Sequence, residues 1–363
     1  MNPAVTRRFP LIARRRPVCT PLTQRIVDLQ ERAVLARERG DVTSATGVFN
    51  LAALLASDCG MPNLARTWCH RLANLALDHD HDPRHALEPV VNIARLHIRA
   101  GDGPAAWDLL EALFQAIDSR TDIVIDGLTI PAARLTEAPG AYATARTWLW
   151  TVLLGTGAHA LASAGRWDEA GHRLTQYKGV GARMLDGRQI TVIAHAAAGR
   201  HQQAHAILEA TQPGELWENA VTACLLLLVP GSDTRDHTNT ALTAYHALGP
   251  AKPGLTVFHT RLGLTLLDAL DSSHPAAEQI AVELIFHALD DGYAARDLLT
   301  HPTCLAAACH QQVSQLNTLV ATCGLDTGTL SAGKLTLLLR ALDIAESAIV
   351  RPRERPTSRP GPN

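Results

Sequence analysis

Three stretches gather side chains that could do chemistry. In "LDHDHDPRHALEP", Asp78, His79, Asp80, His81, Asp82 and His85 crowd together, and neighbouring imidazoles and carboxylates on a loop can chelate a divalent metal. In "CLAAACH", Cys304 and Cys309 stand close, with His310 beside the second thiol. In "HALDDGYAARD", Asp290 and Asp291 form an acidic pair ahead of Asp297. Each falls short of a working set. The first has no His-Glu-x-x-His or paired Cys-x-x-Cys spacing, and the second has no partner pair to complete a zinc site. They read as a polar turn between helices and as small buried hydrophobes.

The Asp290–Asp291 pair resembles the acidic motif of all-α terpene cyclases, which would imply metal-assisted diphosphate chemistry. Asp297 is too distant to be the third acid, and the second metal motif of that group is missing. No phosphate loop, Gly-x-Ser-x-Gly elbow or dinucleotide fingerprint occurs either. The expectation is a protein without catalytic residues, metal or cofactor.

Composition narrows what could position any site. The 363 residues are 47% hydrophobic but only 4% aromatic, and alanine and leucine outweigh the β-branched residues that favour strands. This is an all-α composition. A formal net charge of -2 provides no general field for nucleic acid, and Arg7 to Arg16 are the sole candidate contact for it. Seven cysteines, an odd number, point to reduced thiols in a cytoplasm. "TRRFPLIARRR" hints at a twin-arginine export signal, but "VCTPLTQRIVDLQERA" stands where the apolar core of such a signal belongs. The apolar run "WLWTVLLGTGAHALASAG" is diluted by Gly, Thr, Ser and His159, so a helix buried in protein is expected, not a membrane span.

Helical periodicity runs almost unbroken between the ends. Leu22, Ile26, Leu29, Ala33 and Ala36 fall on one stripe, with Pro21 at its start and Gly40 at its end. Ala106, Leu109, Leu110, Leu113, Phe114 and Ile117 make another. "TDIVIDGLTIP", residues 121–131, breaks the pattern. Its Asp126-Gly127 between short β-branched runs predicts a type I′ hairpin.

One phrase recurs. "AGRWDEAGHRL" at 164–174 is echoed by "AGRHQQAHAIL" at 198–208. A glycine followed five residues later by alanine appears at Gly40/Ala45, Gly60/Ala65, Gly101/Ala106, Gly165/Ala170 and Gly199/Ala204. Such a glycine ends one helix in the left-handed region, and the small alanine lets the returning helix pack closely. Phe49, Cys69, Leu110, Leu174 and Leu208 follow at the next position of the phrase. Ala33, Ala53, Ala94, Ala158 and Val192 precede the glycines by a fixed interval.

This grammar resembles the tetratricopeptide repeat, a pair of antiparallel helices, over roughly residues 22–212. The spacing between glycines is irregular and the closing proline is missing, so the repeats are degenerate. "FNLAALLASDCGMPNLARTWCHRLANLAL" resembles the repeat portions of actinobacterial regulatory proteins, whose N-terminal helix-turn-helix domain has no counterpart here. The resemblance implies a superhelix of antiparallel helix pairs with a concave face for a peptide or protein partner. Four parts are expected: a basic flexible arm (1–20), repeats with the hairpin insertion (21–212), degenerate repeats capping the stack (213–349) and a disordered tail (350–363). The register of the resemblance sets Asn50, Glu88, Asn92, Arg95, Arg99, His159, Asp186 and Gln189 on the binding face. The functional expectation is a cytoplasmic regulatory or scaffold protein that binds a protein or peptide. The alternative is an all-α enzyme or a substrate-presenting subunit of a biosynthetic system, using the hairpin region as a lid.

Overall fold

The structure is a computed structural model that describes residues 2–79, 82–231, 234–270 and 274–350. Helices α1 (Pro3–Thr6), α2 (Leu22–Arg39), α3 (Val42–Asp58), α4 (Pro62–Asp78), α5 (Pro83–Arg99) and α6 (Gly103–Ser119) come first. A hairpin of β1 (Ile123–Ile125) and β2 (Leu128–Ile130) follows. Next are α7 (Ala132–Leu135), α8 (Ala141–Val152), α9 (Ala158–Ser163), α10 (Trp167–Gln176), α11 (Asp186–Ala197) and α12 (His201–Glu209). Then come α13 (Leu216–Leu228), α14 (Thr234–His246), α15 (Thr256–Ala269) and α16 (Pro275–Ala288). The last are α17 (Gly292–Leu299), α18 (Pro302–Ala307), α19 (His310–Thr322) and α20 (Ala332–Val350). The described residues are thus mostly helical, with one two-stranded antiparallel sheet.

The recurring phrase has one local geometry. Gly40, Gly60, Gly101, Gly165 and Gly199 all have positive φ, between 62° and 82°. At each, the residue after the glycine donates its N–H back to a carbonyl of the helix just ended: Asp41 to Ala36, Met61 to Ala56, Asp102 to His97, Arg166 to Leu161 and Arg200 to His195. That is the Schellman closure, which satisfies carbonyls a helix end would otherwise leave bare. Asp41 and Asp102 then cap the next helix by accepting from Ser44 N and Ala105 N. Ala45, Ala65, Ala106, Ala170 and Ala204 are fully buried, as small residues at close helix crossings must be.

The hairpin forms where the sequence predicts it. Asp126 and Gly127 have φ of 53° and 78°, the paired positive values of a type I′ turn. Ile125 pairs with Leu128, and the ribbon leans its buried Ile125, Leu128 and Ile130 on the helical body, with β1 against α6.

Two compact units emerge, and their division differs from the expected boundaries. Among the described residues, the larger comprises 2–24 with 93–327, and the smaller 25–92 with 328–350. In the smaller unit α3 packs on α4, and α20 packs on both. Arg71 of α4 ties them by reaching Asp343 and Glu346 of α20. Helix α20 was expected to continue a run of repeats from residue 213, but its buried Leu338, Ala341, Leu342 and Ala345 face the early helices instead. The expected tail lies, from residue 351 onward, outside the described residues.

In the larger unit successive helices pack on their neighbours: α10 on α11, α11 on α12, α13 on α14, α15 on α16 and α17 on α19. The apolar run at 147–164 is a buried helix with one irregularity. A π-helical turn, Leu153–Gly157, joins α8 to α9 without a break. Such a turn adds a residue to the ladder and often accompanies functional positions.

Candidate functional site

Between α1 and α2 the chain has neither helix nor strand over residues 11–21. A basic segment without periodicity reads as a mobile arm, and here that expectation is corrected. Val5, Phe9, Leu11 and Cys19 are buried in the larger unit, while Arg7, Arg14, Arg15 and Arg16 are exposed. Apolar anchors interleaved with the arginines give the segment something to bury. Pro10 and Pro17 carry no backbone N–H, which removes two donors that would otherwise need partners.

Its contacts, taken in chain order, come from helices far along the sequence. Arg8 pairs with Asp268 of α15, and the other oxygen of that carboxylate lies 3.2 Å from His301 Nε2. Phe9 is fully buried, and its backbone meets the ring of His159 on α9. Leu11 N–H donates to Gln189 Oε1 at 2.7 Å, and Gln189 Nε2 donates back to Leu11 O at 2.9 Å. The same Nε2 reaches Met184 O at 3.1 Å, so the buried amide is satisfied on both sides. Arg14 Nη2 stands 2.6 Å from Asp186, the first residue of α11.

The guanidinium of Arg14 also lies over the π-turn. A Cβ on Gly155 would stand 2.9 Å from its Nη1, so the guanidinium would have to shift to admit one. Further on, Arg16 N–H donates to Gly254 O at 2.9 Å. Cys19 O accepts from Gly292 N–H at 2.8 Å and from the Cys323 thiol at 3.2 Å.

The electrostatics follow from burial and these pairs. Burial raises the Asp186 carboxyl, and the Arg14 charge and hydrogen bond only partly offset it. At Asp268 burial pushes upward as well, but hydrogen bonds from His301 and Arg8 outweigh it and the carboxyl is lowered. His159 is lowered to about 4, first by burial and then by Arg261, Arg16 and Arg14. Its imidazole is therefore neutral at physiological pH, suited to holding a backbone group and not a second charge.

The eight expected face residues divide. His159, Asp186 and Gln189 come together around the segment. Asn50, Glu88 and Asn92 belong to the smaller unit, where Asn92 Nδ2 donates to Asn50 Oδ1 at 2.8 Å and Glu88 lies 3.9 Å from Arg84. Arg95 and Arg99 belong to the larger unit and have contacts of their own. Sequence reasoning missed Asp268 and His301. The signal was there, since Asp268 is a lone carboxylate inside the apolar run "LGLTLLDAL", and an acid in such company needs a cation.

The other chemical candidates take structural places. Asp291 is buried and caps α17, accepting from Tyr293 N and Ala294 N. Cys304 is buried and Cys309 exposed. Asp80 and His81 of the acidic loop lie outside the described residues, and among those described no group of three His, Cys, Asp or Glu could hold a metal ion. No described helix is long and apolar enough to cross a membrane. Compared with known proteins, the chain matches no family model, no curated protein and no solved structure.

Proposed function

We propose that this chain is a non-catalytic protein that binds an extended segment of a protein partner, in a regulatory or scaffolding role within the cytoplasm. Five helix-glycine-helix turns of one geometry support the kinship with tetratricopeptide repeats. The observation that carries the reading is the bond between Gln189 and Leu11. An amide that accepts from the N–H and donates to the C=O of one residue grips backbone as a neighbouring strand does, whatever the side chain. Being fully buried, it makes those bonds away from competing water. Asp186 adds a preference for a cation nearby.

The test is selection from a random peptide library against the full chain, repeated with Gln189→Ala and Asp186→Asn. Peptides enriched by the native chain and lost by either folded variant support the reading. Absence of any enriched peptide overturns it.

A further inference from the structure

The Gln189 amide is fully buried and makes two of its three bonds to Leu11. The Asp186 carboxylate is mostly buried too, and Arg14 is its cation. If the segment left and nothing replaced it, Gln189 would lose two of its three bonds and Asp186 its cation, losses that buried polar groups resist. An occupant that displaces the segment must bring the same groups at the same spacing. Resting on the function proposed above, we propose that residues 8–14, Arg-Phe-Pro-Leu-Ile-Ala-Arg, are a resident occupant. They hold the site against a partner's segment of the same chemistry.

The contacts define that chemistry. At the centre is an aliphatic residue whose backbone Gln189 takes at both N–H and C=O. Two places before it stands an aromatic residue, the fully buried position of Phe9. Three places before and three places after stand basic residues, facing Asp268 and Asp186 as Arg8 and Arg14 do. Two carboxylates at the ends of the seat repel phosphate, so the occupant is a basic protein segment and not nucleic acid. The Arg14 end is where exchange begins. Its side chain is 54% exposed although paired, and Arg15 and Arg16 beside it are exposed as well. An exposed ion pair is a weak tether.

The experiment uses the full chain and a fluorescent synthetic peptide of residues 6–17. Binding is measured by anisotropy to the native chain and to the Arg8→Ala, Arg14→Ala double variant, whose own segment is loosened. The variant should bind at least about tenfold tighter. A peptide with alanine at both arginine positions should lose about the same factor. On the native chain, saturating peptide should speed hydrogen exchange at the Leu11 amide. Should the double variant fail to fold, that exchange measurement decides alone. No binding, equal binding by both chains, or an unchanged Leu11 amide would overturn the proposal. Library peptides that depend on Gln189 but lack the basic pair would overturn it while leaving the proposed function standing.

Discussion

The carboxylate of Asp268 joins Arg8 to His301, one oxygen to the guanidinium and the other 3.2 Å from the imidazole Nε2. Asp268→Asn keeps the shape but removes the charge that Arg8 requires. The expected cost is about 1–3 kcal/mol, the range for a charged hydrogen bond lost in a partly buried place. The sign with pH follows from the lowered carboxyl. Its stabilisation is complete above the ordinary carboxylate range and disappears as pH falls through the depressed value. Urea midpoints of the native and variant chains should therefore differ at neutral pH and converge under acid. A constant difference at every pH would mean the charge is not what matters.

His159 predicts a second pH effect, at higher pH. Its ordinary value of 6.5 is lowered to about 4 in the fold. The unfolded chain therefore binds an extra proton between those values, and stability must fall as pH drops from 6.5 to 4. His259 is likewise lowered to about 4, by burial and then by His287, and adds to the same slope. His159→Gln should flatten part of the slope and leave the remainder to His259 and to His70 and His195, which burial also lowers. An unaltered slope would remove His159 from this role.

Ala170 and Ala204 are fully buried early in α10 and α12. Leucine at either should cost about 1–3 kcal/mol through overpacking. Leucine at exposed Ala138 should stay within about 0.5 kcal/mol of the native chain. Thermal melts of the three variants separate the cases. A native-like melt for Ala170→Leu would mean that the shared register does not govern packing there.

Gly187 lies between Asp186 and Gln189 on α11. A Cβ there would strike the carbonyl oxygen of Gly179, so Gly187→Ala must displace either the loop or the helix start. Overpacking of this kind costs about 1–3 kcal/mol. The shift would also move both side chains that hold the segment. Hydrogen exchange at Leu11 should accelerate by more than the loss of global stability explains. Equal changes across the unit would show that α11 absorbs the methyl without moving its first turn.

Some of this was readable in the sequence and some was not, for definite reasons. Helix-glycine-helix turns and the Asp126-Gly127 hairpin are local: a few adjacent residues contain the whole instruction. The packing of residues 9–19 is not local. Leu11 depends on a residue 178 positions away and Cys19 on one 304 positions away, and no periodicity in the segment announces either. Its arginines look like a solvated tail until Asp186 and Asp268 are brought beside them. Likewise α20 carries an ordinary amphipathic pattern, which says that a face is buried but not against which helix. Three of the eight expected face residues, His159, Asp186 and Gln189, have contacts with the segment. Of the other five, Asn50, Glu88 and Asn92 belong to the smaller unit, and Arg95 and Arg99 to the larger.

The separation of Arg8 from Asp268 by 260 residues also orders events at the ribosome. At about 5–20 residues per second, on the order of half a minute passes between the making of the arginine and of its carboxylate. For the first part of that interval Phe9 and Leu11 lack His159 and Gln189, and after these are made Arg8 still lacks its carboxylate. Nascent chains stalled before residue 268 should therefore expose the segment to chaperones or proteases that the finished protein excludes. Arg8 cannot find its carboxylate until Asp268 is made, so the newborn chain passes through a state in which that end of the seat is open.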